Sequence, residues 1–196
     1  MAAPTHPTML TATLPSAPAA AAAPALTVAE VYDRHAAMVF RALRALGVPP
    51  ASLDDAVQDV FIVVHRRLGE FEGRAALTTW LFAIARRVAA DHRRRRPAGT
   101  QPLAAIAEVA DAGVSPERAV AQAQAARAVL AILDTLDPEQ REVFVLMELE
   151  QLAAPAVAEI VGAPLNTVYS RLRLARQRFE QGVARRAAAR AREESP

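Results

Sequence analysis

The 196 residues suffice for one medium domain or two small ones, and much of the 53% hydrophobic content is alanine, so modest helical cores are expected. The absence of cysteine excludes disulfides, thiolate metal sites and thiol catalysis, and no apolar stretch approaches the length of a membrane span. The net charge of +2 hides a segregation: 12 arginines face 8 acids over residues 30–97, 3 face 9 over 98–150, and 8 face 4 over 151–196. Two basic ends around an acidic middle suggest two nucleic-acid contacts rather than one diffuse polycation. All 23 basic residues are arginine, a usage that GC-rich coding explains as readily as function.

In chain order, residues 1–26 are rich in proline and alanine. They lack the basic start and unbroken apolar stretch of an export signal, so they read as a disordered arm. A soluble cytoplasmic protein without membrane insertion is expected. Thr27 and Glu30 form a capping-box pattern that opens a helix with Val28, Val31, Val39, Leu43 and Leu46 inward, stopped by Gly47 and Pro49-Pro50. Ser52 and Asp55 suggest a second capping box, opening a helix that buries Leu53, Val57, Val60, Phe61, Val64 and Leu68 and ends at Gly69. A polar loop, Glu70–Thr79, leads to a third helix with Trp80, Leu81, Ile84, Ala85 and Val88 inward, which ends before Pro97. Together these make a module at 27–96.

Residues 97–115 hold Pro97, Gly99, Pro102 and Gly113 without strong periodicity and read as a linker. Ser115-Pro116-Glu117 supplies a cap, a first-turn proline and an acid suited to the helix dipole. Asp137-Pro138-Glu139 repeats that start for a helix carrying Val143, Phe144, Leu146, Met147 and Leu149. Within 153–178, Val157, Ile160 and Val161 give a short helix its apolar stripe, and Gly162 sits at its C-terminal cap. Pro164 breaks the chain, and Asn166 or Thr167 caps a further helix with Val168, Leu172, Ala175 and Phe179 inward. Tyr169, Ser170, Arg171, Arg173, Arg176 and Arg178 face outward. A helix-turn-helix places such a second helix in the DNA major groove, a better account of one-sided arginines than a solvated helical hairpin. The second module spans 116–184, and the arginine-rich tail at 185–196 has disorder as its default. The fold class is all-α: two small helical domains of roughly 70 residues each, only marginally stable alone, joined by a flexible linker.

Two further faces carry polar side chains. On the second helix, Asp54, Asp55, Gln58, Asp59, His65 and Arg66 lie opposite the buried stripe, with Ile62 among them. Plain solvation and a partner-helix interface account equally well for this pattern. On the third helix Arg86, Arg87, Ala90 and Arg94 fall on the side expected to be exposed, extended by Arg93, Arg95 and Arg96. Such a run is either a solvated helix end or a phosphate surface. Phe71, in the preceding loop, is the aromatic better placed than Trp80 to meet a base.

The segment SLDDAVQDVFIVVHRRLGEFEGRAALTTWLFAIARRVAADHRRRR resembles the promoter-melting domain of bacterial sigma factors of the extracytoplasmic-function (ECF) subfamily. The segment LDTLDPEQREVFVLMELEQLAAPAVAEIVGAPLNTVYSRLRLARQRF resembles their C-terminal promoter-binding domain, and the subfamily keeps just these two modules. The resemblance implies that Asp54, Asp55, Gln58, Asp59 and Ile62 dock on core RNA polymerase. It implies that the loop Phe71–Thr79, with Arg74, Thr78 and Thr79, captures a flipped base of the minus-ten element, which Arg86, Arg87, Ala90 and Arg94 also touch. Asn166, Thr167, Tyr169, Ser170, Arg171, Arg173 and Arg176 would read the minus-thirty-five element. Arg87 replaces a common asparagine, Pro155 and Ala156 replace common acids, and Tyr169 replaces a frequent lysine; these departures bear on specificity. Promoter DNA and core polymerase are the implied partners, with an anti-sigma inhibitor common in the family.

His6, His35, His65 and His92 are scattered, without partners at ligand or triad spacing, so no catalysis, metal or cofactor is expected. Two other readings compete. A conventional regulator would use only the helix-turn-helix, typically as a symmetric dimer, and a helical interaction module would leave its arginines solvated.

Overall fold

A computed structural model describes residues 26–95 and 115–193. The arm at 1–25 and residues 96–114, which hold nearly all of the expected linker, lie outside the described residues. Among the described residues seven α-helices follow one another: α1 (Val28–Ala45), α2 (Leu53–Arg67), α3 (Leu77–Arg95), α4 (Pro116–Leu133), α5 (Pro138–Phe144), α6 (Ala154–Val161) and α7 (Leu165–Glu193). No strand occurs among the described residues. Helices α1–α3 pack on one another, and α5 and α6 pack on α7, which α4 also contacts.

The capping box at α1 forms as expected. Thr27 Oγ1 accepts the Glu30 amide, and the Glu30 carboxylate accepts the Thr27 amide at 2.9 Å. The bonds that the Thr27 amide and the Thr27 hydroxyl donate to the Glu30 carboxylate hold it below the usual carboxylate range. Ser52 makes no such bond. The chain instead enters α2 through a 3-10 turn, Pro50–Ser52, in which the Ser52 and Leu53 amides donate to the Pro49 and Pro50 carbonyls. Gly69 likewise does not end α2 in a left-handed conformation. The helix tightens into a second 3-10 turn, Leu68–Glu70, and the Phe71 amide donates to the Leu68 carbonyl. Positive φ angles fall at Gly47, Gly73 and Gly162, with Gln151 the one non-glycine case among the described residues.

α5 begins behind Asp137-Pro138 as read, but its last turn widens into a π-helical segment, Val145–Leu149. The Glu150 amide reaches back to the Val145 carbonyl, and Gln151 adopts φ 56° with its side-chain amide on the Glu148 carbonyl. That widening re-aims the chain into α6. The tail expected to be disordered is helical as far as Glu193. Its run of Ala, Arg and Glu consists of strong helix formers, and intrinsic propensity outweighs the lack of packing there. Gly182 lets α7 approach α4: a Cβ at that position would lie 2.6 Å from Ile132 Cγ2.

The buried residues of both halves form one continuous apolar cluster, from Val31, Leu43 and Val60 through Leu81 and Leu133 to Leu146, Val157 and Leu172. The modules therefore lie against each other, α1 on α4 and α3 on α6.

Candidate nucleic-acid and partner interfaces

The acidic stripe of α2 comes together as one exposed face. Asp54, Asp55 and Gln58 are exposed, and Ile62 keeps 39% of its surface in solvent. Asp59 differs: it is half-buried, with its carboxylate 2.9 Å from His92 Nε2 of α3. Beside this face an open groove runs between α1 and α2, lined by Tyr32, Phe40, Val57, Phe61 and Ile62 among others. Tyr32 stands edge-on to Phe61 with ring centroids 4.7 Å apart. Tyr32 and Phe40 were absent from the sequence reading. Their spacing of two turns, with Ala36 between, is the signal of a second apolar stripe on α1.

The loop before α3 is shorter than expected, because Thr78 and Thr79 already lie in the first turn of the helix and are half-buried. Phe71 leans on Trp80, centroids 5.4 Å apart, and is half-buried rather than free. Arg74 is exposed beside Glu72. Along α3, Arg87 and Arg94 face solvent, with Arg94 paired to Asp91, and Ala90 is half-buried. Arg86 departs from the expected exposed side. Its side chain is 24% exposed and turns into the second module, where Nε donates to the Glu142 carboxylate at 2.8 Å. The apolar register of α3 places Arg86 correctly on its own helix; the second module covers it.

In the helix-turn-helix, Gly162 takes φ 68° and ψ 39° as the left-handed cap of α6, and its amide donates to the Ala158 carbonyl. α7 starts at Leu165, so neither Asn166 nor Thr167 is its cap. The Thr167 and Val168 amides bond instead to the Pro164 carbonyl. Val168, Leu172 and Ala175 are buried, and Phe179 stacks on Phe144. Asn166, Tyr169, Ser170, Arg173 and Arg176 are exposed, and Thr167 is half-buried. The arginines of α7 are not equivalent. Arg171 pairs with Glu139, Arg176 with Glu148 and Arg178 with Asp137. No ion-pair partner is seen for Arg173 among the described residues. Exposed pairs of this kind are worth at most about 1 kcal/mol, so a phosphate competes with them readily.

The sequence reading missed the polar group at the seam between the modules. Arg141 and Glu142 are buried in the middle of α5, and both reach side chains or carbonyls of the first module or the α4–α5 turn. Burial pushes the Arg141 guanidinium below its usual range, and Asp134 opposes that shift. Glu150 is half-buried; burial raises its carboxyl above the usual range, partly offset by Arg41 of α1. A raised folded value means the folded chain binds this proton more tightly than the unfolded chain, so the group loses stability as pH rises between the two values. Glu150→Gln is therefore expected to raise the urea midpoint at neutral pH. The advantage should fade as pH falls toward the ordinary glutamate value of about 4.3. A midpoint gain that is equal at both pH values would contradict this.

Two family models match the chain in this order: Sigma-70 region 2 over residues 31–98 and Sigma-70 region 4 over residues 126–179. Together with the helix-turn-helix, they define the class as a two-module transcription initiation factor. The ECF RNA polymerase sigma-E factor of Haemophilus influenzae is 30% identical over 167 residues, covering 81% of this chain and 86% of that protein. The RNA polymerase sigma factor NccH of Alcaligenes xylosoxydans is 29% identical over 155 residues, covering 76% and 83%. Among solved structures, CnrH in complex with the cytosolic domain of CnrY superimposes with a TM-score of 0.60 at 24% identity, covering 80% of this chain and 87% of that one. RpoE of Bartonella quintana, solved with the anti-sigma factor NepR, gives 0.60 at 22% identity, covering 78% and 96%. These last two establish the shared fold. The chain belongs to the ECF family of RNA polymerase sigma factors, and it directs promoter-specific transcription initiation. No helix among the described residues is long and apolar enough to cross a membrane.

Proposed function

We propose that this chain is a dissociable promoter-specificity subunit that acts in the cytoplasm and leaves all chemistry to the polymerase. Asp54, Asp55, Gln58, Asp59 and Ile62 form its docking face for core RNA polymerase. Phe71, Arg74, Thr78, Thr79, Arg86, Arg87, Ala90 and Arg94 serve the minus-ten element. Extruding a base there costs about a few kcal/mol, which contacts to the opened strand offset. Asn166, Thr167, Tyr169, Ser170, Arg171, Arg173 and Arg176 address the minus-thirty-five element from the major groove. An anti-sigma inhibitor is a further partner, a reading supported by the complexes in which the two similar folds were solved.

One observation carries this reading: both sigma regions match in series on one chain, and the acidic face of α2 stands exposed on the first of them. A conventional regulator working through α7 alone would leave that face without a role. The double variant Asp54→Arg/Asp55→Arg tests the assignment. Reversing two charges at a docking face is expected to weaken the core complex at least about tenfold, measured by anisotropy of labelled protein titrated with core enzyme. Unchanged affinity would remove this face from the account.

A further inference from the structure

Tyr32, Ala36 and Phe40 recur every four residues along α1 and so share one face of it. With Val57, Phe61 and Ile62 of α2 they wall the open groove on the first module. Tyr32 keeps 49% of its surface in solvent even though its ring meets Phe61. The connection between the two helices is short, residues 46–52, so α1 and α2 run antiparallel. The Tyr32 end of the groove is therefore the end at which the chain enters α1, and Asp54 rims the other. Exposed apolar surface of this kind, bordered by polar groups, marks a docking site. Asp54, Gln58 and Ile62 belong both to this groove and to the face assigned above to core polymerase.

The 25 residues before Leu26, outside the described residues, supply a matching occupant. They contain no Asp, Glu, Lys or Arg, so the acids beside the groove meet no like charge. Between Pro7 and Pro15 stand Met9, Leu10 and Leu14, the densest group of large apolar side chains in that stretch. A thioether and two branched alkyl groups suit a groove walled by aromatic rings. Residues 15–25 then form a tether of Pro, Ala and one Ser, which reaches roughly 20 Å when flexible and farther where proline stiffens it. Ala36, midway along the groove, lies nine residues beyond Thr27, about 14 Å along the helix axis. The tether thus spans the gap without strain, and a short linkage of this kind gives an effective concentration of about 1 mM. An intrinsic affinity as weak as about 0.1 mM then fills the groove in about nine chains of ten.

We propose that residues 9–14 lie in the α1–α2 groove of their own chain, and that core RNA polymerase displaces them when it docks. The competition rests on the assignment of Asp54, Gln58 and Ile62 to core polymerase made above; the seat itself does not. The free chain covers its exposed aromatics in this way and gives up part of its affinity for core enzyme.

The absence of cysteine allows a direct test on the full chain, because Ala12→Cys supplies a single site for a nitroxide. Paramagnetic broadening is expected along the whole groove, at the amides of Tyr32, Phe40, Val57 and Ile62. Adding Leu10→Ser/Leu14→Ser should restore the Phe40 and Val57 signals at the far end. Absence of broadening there, or broadening that survives the two serines, would overturn the seat. Broadening that appears in isotope-labelled chains mixed with separate nitroxide-bearing chains would place a second copy in the groove and overturn the proposal equally. Leu10→Ser/Leu14→Ser should also bind core enzyme about three- to tenfold more tightly in the anisotropy titration, because emptying the groove raises the competent fraction. Far-end broadening with unchanged core affinity would overturn the competition alone. The docking assignment fails separately, through unchanged affinity in Asp54→Arg/Asp55→Arg, and the broadening is read without polymerase.

Discussion

Leu146→Ala is expected to destabilise the second module by about 2–5 kcal/mol, the cost of truncating a buried leucine whose surroundings relax only in part. Leu146 has no solvent exposure and lies in the π-helical turn that aims the chain into α6, within the cluster that includes Val143, Val157, Val168 and Leu172. A domain of this size holds only roughly 4–10 kcal/mol in total, so a loss at the upper end leaves the helix-turn-helix unfolded. Trp80 is the only tryptophan in the chain and lies in α3, so its fluorescence follows the first module, whereas circular dichroism follows both. In urea, the variant should show an early loss of helical signal ahead of the Trp80 transition. A single transition shifted by less than about 1 kcal/mol would mean that the π-helical turn repacks without cost.

Arg173→Ala is expected to weaken holoenzyme binding to the minus-thirty-five element by about 1–3 kcal/mol, or roughly 5- to 150-fold. Arg173 is exposed, carries no acidic partner among the described residues, and flanks a shallow groove on α7 with Tyr169, Arg176 and Gln177. Arg171→Ala should cost less, because Glu139 already holds that guanidinium and its side chain is only 23% exposed. A protected arginine gives up one favourable pairing to make another. The ordering is checked by titrating upstream duplex into holoenzymes carrying each variant at two salt concentrations. Loss of a phosphate contact lowers the salt slope by about one, whereas loss of a base contact relaxes the preference at one position. Equal losses at Arg171 and Arg173 would show that the ion pair does not discriminate between them.

The parts of the fold legible in the sequence are those set by contacts within a few residues. Thr27 and Glu30 lie three apart and build their cap unaided, and Gly162 ends α6 because no other residue takes that backbone conformation so cheaply. The inward stripe of α7 follows from helical spacing alone and holds at Val168, Leu172 and Ala175. Ser52 does not cap α2 because the tight turn that Pro50 favours leaves it at φ −115° and ψ 6°, away from the extended conformation of a capping residue. The tail departs from the disorder that is the default for a chain end, because its alanines and arginines favour helix without packing.

The face of α2 was legible as a pattern, yet its meaning came from resemblance rather than from the residues. The polar group at the seam between the modules was hidden for another reason. Glu142 lies 56 residues from Arg86 and 49 from Arg93, so no local period links them. A charged pair, Arg141-Glu142, standing directly before Val143 and Phe144 in a short helix was the one local sign that polar groups were to be buried together there.

Run-off transcription from a reconstituted mixture of core RNA polymerase and the purified full chain, on a library of promoter fragments, tests the central claim most directly. The account predicts discrete transcripts that need both the chain and intact minus-ten and minus-thirty-five elements, and none from core enzyme alone. Folded protein that joins core enzyme yet starts no promoter-dependent transcript would contradict it.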